Sequence, residues 1–172
     1  EIDVAVHSLK DMPSVLEEGF SIVAVLPRAS PRDALITKKE GGLSDLGKGA
    51  TVATSSVRRQ RLLQSLRPDL RVTDIRGNVP TRIRKLHESE EIDGLLLAQA
   101  GLSRLGLLRD GLVESEGKVT YVEELDEKRF VPAGGQGAVA LEVRAGDAGT
   151  VSICEAVNDA ESMLTVRAER SF

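Results

Sequence analysis

The sequence predicts an α/β protein of two lobes, and three observations carry the prediction. Short apolar runs of strand length alternate with helical patterns along the chain. Several of those runs are apolar at almost every position, as in Ile22-Val23-Ala24-Val25-Leu26 and Leu95-Leu96-Leu97-Ala98, which is the pattern of strands buried on both faces of a mainly parallel sheet. Strand-bearing flanks also lie on both sides of the most regular segment. Residues 32–121 therefore read as one α/β domain, with 1–26 and 127–144 as parts of another that the chain leaves and re-enters. Strands separated by helices of this length imply crossover connections.

The elements follow in order. Strands are expected at 2–6, 21–26, 34–37, 51–54, 71–75, 94–98 and 137–143, from period-2 alternation or continuous apolar runs. A helix is expected over 56–67, where Val57, Leu62, Leu63 and Leu66 share a face. Another is expected over 78–87, where Val79, Ile83 and Leu86 follow i, i+4, i+7 spacing. Ile153, Val157, Ala160 and Leu164 predict a last helix near the end of the chain. Pro27-Arg28-Ala29-Ser30-Pro31, Glu114 to Lys118, and Gly146-Asp147-Ala148-Gly149 read as boundaries. The chain opens directly into strand-like alternation and stops inside a helical pattern, so it reads as an internal piece of a longer protein.

Composition narrows the function. Of 172 residues, 41% are hydrophobic and 29% charged, so disordered and collagen-like classes fall away. No apolar run approaches the roughly 18 residues of a membrane helix, and a single cysteine suits a reducing compartment. A soluble cytoplasmic protein is expected. The formal net charge of −4 hides an asymmetry: residues 51–85 carry +7 and the remainder −11. A basic segment on an acidic body points to an anion site rather than a polyanion surface. Aromatic residues make up only 2%, which leaves little for stacking nucleic-acid bases. No Cys/His spacing matches a metal site. His87 reads as an exposed helix residue without a role, and Cys154 as a packing residue.

Three strand-to-helix junctions carry the candidate chemistry: His7-Ser8-Leu9-Lys10-Asp11, Thr54-Ser55-Ser56-Val57-Arg58-Arg59, and Arg76-Gly77-Asn78-Val79-Pro80-Thr81-Arg82. Ligands of open parallel sheets bind outside the carboxyl ends of strands. At the second junction Ser55 or Ser56 is an N-cap, and the first-turn N–H groups favour an anion. Arg58 and Arg59 add forked donors for a carboxylate or phosphate. At the third, Gly77 permits a tight turn, Asn78 is an N-cap, and Arg76 and Arg82 flank the helix start. Two such sites in consecutive βα units suit a small molecule with several carboxylates. At the first junction Asp11, beside Lys10 and near His7, is the acid–base candidate.

Taken together, these motifs resemble the porphobilinogen deaminase (hydroxymethylbilane synthase) family, as do Leu97-Ala98-Gln99-Ala100-Gly101-Leu102-Ser103-Arg104-Leu105-Gly106 and Pro132-Ala133-Gly134-Gly135-Gln136-Gly137-Ala138. The five motifs are co-linear with the family over nearly the whole chain. The resemblance implies a three-domain transferase of tetrapyrrole (haem) biosynthesis, whose first two domains have a periplasmic-binding-protein-like architecture and whose third is expected to open with 149–172. It implies head-to-tail condensation of four porphobilinogen molecules with release of ammonia, on a covalent dipyrromethane cofactor. The partners implied are porphobilinogen and the growing polypyrrole, with no nucleic acid, membrane or metal, in a monomeric parent. It places the catalytic aspartate on Asp11, the cofactor ligands on Lys10, Ser56, Arg58, Arg59, Arg76 and Arg82, and substrate contacts on Arg28, Ser8, Gly77 and Asn78. The family's Arg-x-Ser strand would precede Glu1 and its cofactor-anchoring Gly-Gly-Cys would follow Phe172, so the fragment is expected to lack the covalent cofactor and activity of its own. A non-enzymatic carboxylate-binding module of the same two-lobed shape is the competing reading.

Overall fold

The computed structural model describes residues 2–171. Its strands are β1 (Val4–Ser8), β2 (Phe20–Val25), β3 (Asp33–Thr37), β4 (Thr51–Ala53), β5 (Arg71–Thr73), β6 (Gly94–Ala98), β7 (Leu108–Arg109), β8 (Leu112–Ser115), β9 (Lys118–Glu124) and β10 (Val139–Arg144). Its helices are α1 (Val57–Leu66), α2 (Val79–Glu88), α3 (Gln99–Arg104), α4 (Ala148–Glu155) and α5 (Ala160–Arg170), and Leu9–Asp11 form a 3₁₀ turn. The chain divides into two compact units, one running through Pro31 and resuming at Ala133, the other spanning Arg32–Pro132. No helix among the described residues is long and apolar enough to cross a membrane.

The second unit is a seven-stranded sheet in the order β5-β4-β6-β3-β9-β8-β7. Period-2 alternation divides its core between the two faces. Ala34, Ile36, Leu95 and Leu97 pack with Ile83 and Leu86 of α2, while Leu35, Val52 and Leu96 pack with Leu63 of α1. Helices on both faces explain why β3 is buried at every position. The sheet is nevertheless mixed rather than mainly parallel: β4 runs parallel to β5 and β6, but β3 is antiparallel to both β6 and β9. Burial on two faces depends on the covering helices, so an apolar run does not report strand direction.

Glu114 to Lys118 is not a boundary but the hairpin between β8 and β9. Ser115 pairs with Lys118, leaving Glu116-Gly117 as a two-residue turn with φ of 52° and 73°. Positive φ at both central positions matches the twist of the flanking strands. The regular segment therefore continues past residue 121 to Pro132. The six-residue helix α3 was also not anticipated.

The first unit is an antiparallel sheet in the order β1-β10-β2. Leu9, Val25, Ala138, Ala140, Met163 and Val166 form one core cluster, and Ala24, Val143 and Cys154 another. Cys154 is thus a packing residue, as its apolar surroundings in the sequence suggested. The described part of 149–172, the segment expected to open a third domain, lies in this unit, because α4 and α5 supply those apolar contacts. The single helix expected there is broken at 156–159, where the backbone folds onto the end of β2. Asn158 Oδ1 accepts the Val25 N–H at 2.9 Å and the Asp159 N–H donates to the Val25 carbonyl at 2.8 Å.

Asp147 caps α4 and Asp159 caps α5. Hydrogen bonds from Thr150 and Ser162 hold these carboxyls below the usual carboxylate range. Stability from a depressed carboxyl is complete above its unfolded value and is lost as pH falls through the folded one. The protection of α4 and α5 amides, taken relative to intrinsic exchange at each pH, should therefore fall on acidification below about pH 4, and Asp147→Asn with Asp159→Asn should flatten that dependence. An unchanged dependence in the double variant would exclude the caps as its source.

Gly137 has φ +86°, and a Cβ there would lie 2.3 Å from the Ala29 carbonyl oxygen. The same backbone contact is tied by the Ala29 N–H donating to the Gly137 carbonyl at 3.1 Å. Gly137→Ala should lower stability by at least about 1–3 kcal/mol, the usual cost of backbone strain. Gly134→Ala, with nothing within 4 Å of its added methyl, is the control. Equal melting temperatures for the two variants would contradict the close-approach explanation.

Candidate functional site

The strand ends of the second unit hold the arginine cluster. Because β4 and β5 are parallel neighbours, their carboxyl ends lie side by side, and β6 ends on the same edge. The loops that follow are stitched together. The Thr54 N–H donates to the Thr73 carbonyl at 2.9 Å, and the Ser55 hydroxyl donates to the Ile75 carbonyl. Ser56, not Ser55, is the N-cap of α1, its hydroxyl accepting the Arg59 N–H at 3.4 Å.

The antiparallel course of β3 brings an unanticipated residue to this edge. Asp33 begins β3 opposite Ala98, the last residue of β6, and is fully buried. Arg59 Nε donates to Asp33 Oδ1 at 3.0 Å, Nη2 lies 2.8 Å from the same oxygen, and Nη1 donates to the Leu96 carbonyl at 3.2 Å. Arg59 is therefore a buried member of an ion pair, not the open fork expected. Burial pulls its guanidinium below the ordinary arginine value, Asp33 opposes this, and the charges of Arg58 and Arg82 reinforce it. That influence places Arg58 and Arg82 in the electrostatic neighbourhood of Arg59.

Arg58 is more open. Its Nη1 lies 2.7 Å from Asp33 Oδ2 and donates to the Val131 carbonyl at 2.6 Å. Among the described residues its Nε and Nη2 have no partner, and the side chain is 26% exposed. The guanidinium is thus held by one nitrogen and presents its other edge.

At the third junction Asn78 caps α2, its Oδ1 accepting the Thr81 N–H at 2.9 Å. Gly77 has φ +126°, and a Cβ there would meet Thr81 at 2.8 Å, so the tight turn requires glycine. Arg82 Nε donates to the Gly77 carbonyl at 2.6 Å, and Lys85 Nζ to the Arg76 carbonyl at 2.9 Å. Arg76 is exposed and ion-paired with Asp74, whose carboxyl the Ser55 hydroxyl and the Arg76 guanidinium hold below its usual range. Arg76 lines an open depression with Asp74, Lys85 and Glu88 that none of Arg58, Arg59 and Arg82 lines. The structure thus groups Arg58, Arg59 and Arg82, and sets Arg76 on Asp74.

The first unit carries the remaining candidates. Leu9 is buried against Gly135, where an added Cβ would lie 2.9 Å from its side chain, and its N–H donates to the Ala138 carbonyl at 3.1 Å. With Leu9 pinned inward, Ser8, Lys10 and Asp11 are exposed around it. His7 Nε2 lies 2.9 Å from Glu142, so its ring is engaged across the sheet. Arg28 is held firmly: its Nη1 and Nη2 donate to Glu169 at 2.6 and 3.1 Å and its Nε to the Gln136 carbonyl at 2.9 Å. Burial raises the Glu169 carboxyl, but Arg28 and the Gly135 N–H hold it below its usual range. His87 is half-buried, with Nε2 unpartnered, rather than on an exposed face.

Neither Asp33 nor Glu169 was singled out from the sequence. Each carboxylate lies far along the chain from the arginine it holds. Among the described residues no cluster of His, Cys, Asp and Glu has the arrangement to bind a metal ion.

A family model described as porphobilinogen deaminase, dipyromethane cofactor binding domain, matches residues 1–152. Porphobilinogen deaminases of Bacillus mycoides and Halalkalibacterium halodurans are 48% and 46% identical over all 172 residues. The chain spans about half, 52%, of the length of these relatives. Among solved structures, the periplasmic VFT2 domain of Bordetella pertussis BvgS aligns over 88% of this chain and 60% of its own, at 19% identity and a TM-score of 0.48. By the family model and by identity along its full length, the chain belongs to the porphobilinogen deaminase family.

Proposed function

We propose that the chain is part of a hydroxymethylbilane synthase, in which the arginines of the second unit hold the acetate and propionate groups of pyrroles while Asp11 of the first moves protons. The observation that carries this reading is the anchored Arg58 guanidinium, with its Nε–Nη2 edge open, in the neighbourhood of Arg82. Such an edge suits two-point recognition of a carboxylate. Each porphobilinogen brings two carboxylates, and the +7 charge of residues 51–85 balances that load.

The reaction joins four porphobilinogens head to tail and releases ammonia at each coupling. Asp11 protonates the departing amine, faces the cationic methylene-pyrrole as counter-charge, and accepts the proton lost from the coupled ring. Lys10, Ser56, Arg58, Arg76 and Arg82, with Ser8, Gly77 and Asn78 close by in sequence, hold carboxylates. Arg59 and Arg28 act from within, through Asp33 and Glu169.

The same donors fit the carboxylates of a dipyrromethane, which when bound supplies the primer for coupling. Cys154 is unsuited to anchor it, being buried with Ala24 and Val143. We also place the parent in the cytoplasm, as a monomer. The test is ammonia release from porphobilinogen by the full-length parent, with the bilane identified by mass. Release of four ammonia molecules per bilane is expected. Tight binding of porphobilinogen without ammonia release would replace the enzyme with a carboxylate-binding module.

A further inference from the structure

We infer that Asp33 is a positioning residue, which fixes the open edge of Arg58 toward an oxyanion while Arg59 supplies the counter-charge that makes a buried carboxylate tolerable there. The inference deepens the carboxylate-binding reading above and rests on it. Four observations carry it. Asp33 has no exposed surface, and a buried carboxylate requires a partner. Arg59 is that partner, through Oδ1. The second oxygen, Oδ2, lies 2.7 Å from Arg58 Nη1, and the Val131 carbonyl holds the same nitrogen from another direction at 2.6 Å. The directed hydrogen bond to Val131 and the close ionic contact with Asp33 Oδ2, which lacks hydrogen-bond geometry, both fall on one terminal nitrogen; they restrain the guanidinium and leave Nε and Nη2 as a parallel pair of donors.

The restraint matters because a guanidinium on four rotatable bonds otherwise loses much of its freedom when an oxyanion binds. Prepaid ordering benefits only ligands that use two donors at once. A monatomic anion gains little from it and responds mainly to net charge. The two effects of removing the Asp33 charge therefore separate by anion type. More positive charge strengthens every anion, whereas a loosened Arg58 weakens oxyanions alone.

The experiment is an NMR titration of the isotope-labelled chain with inorganic phosphate and, separately, with chloride, following the Arg58 and Arg82 signals. Asp33→Asn should reduce the ratio of phosphate to chloride affinity at least tenfold. In an Arg58→Gln background the same substitution should leave the ratio unchanged. A ratio unaltered by Asp33→Asn, or lowered equally in both backgrounds, overturns the positioning role, as does wild-type protein that binds no phosphate at Arg58. Because Asp33→Asn leaves Arg59 buried beside a neutral group, Asp33→Asn/Arg59→Gln is the companion variant, keeping a hydrogen-bonded but uncharged pair. It should fold and show the same loss of ratio. Failure of both variants to fold makes Asp33 a folding residue and overturns the inference. Phosphate binding with the expected ratios but no binding of porphobilinogen would leave Asp33 its role and remove the pyrrole reading instead.

Discussion

Asp11→Asn in the full-length parent protein should lower the rate of ammonia release by about 100- to 10,000-fold, the usual contribution of a general acid–base group. Asparagine preserves the size of the side chain and much of its hydrogen bonding. What it removes is the negative charge and the proton-carrying capacity that the proposed role assigns to Asp11. The fold should be unaffected, because Asp11 is exposed on the 3₁₀ turn and the neighbouring Leu9 is the residue packed into the core. Melting temperature and the affinity for porphobilinogen should therefore stay near wild type while turnover falls. The mass of the protein reports whether a cofactor is still attached, which separates loss of chemistry from loss of priming. Near-normal turnover would remove Asp11 from the mechanism.

Arg59→Met should destabilise the second unit by about 3–5 kcal/mol, the cost of breaking a buried ion pair by removing one partner. Methionine fills a similar volume, so the loss comes from leaving the Asp33 carboxylate with Arg58 as its remaining arginine. Adding Asp33→Asn should recover part of that loss, because the orphaned charge disappears with it. Arg58→Met should cost far less, since that side chain is more open and the Arg59–Asp33 pair survives it. Chemical denaturation of the three variants checks the ordering. Equal destabilisation by Arg58→Met and Arg59→Met would contradict the division of labour between the two arginines.

That division shows where sequence reasoning reached and where it stopped. The βα junctions were legible because they are local: the serine and asparagine caps, Gly77 and the arginines all lie within a few residues of one another. The burial of β6 on both faces was legible because Leu95-Leu96-Leu97-Ala98 is apolar at every position. The direction of β3 was not, since a strand buried on both faces has the same composition either way. From that one ambiguity follows the largest omission at the site. Only an antiparallel β3 starts at the edge where β4, β5 and β6 end, and only then does Asp33 meet Arg59. The Arg28–Glu169 pair was missed for a related reason, as it joins residues 141 positions apart. The β8–β9 hairpin was legible in principle, from Glu116-Gly117 between alternating strands, but its polar turn resembles a linker.

The most direct test of the account is a titration of the isotope-labelled chain with porphobilinogen and, in parallel, with its dimethyl ester. The acid carries two negative charges that the ester lacks, while the pyrrole ring and amine are common to both. If the arginines at the ends of β4 and β5 recognise carboxylates, the acid perturbs the signals of residues 54–59 and 76–82 saturably, and the ester leaves them unchanged. Equal perturbation by acid and ester, or shifts confined to residues outside these two junctions, would contradict it.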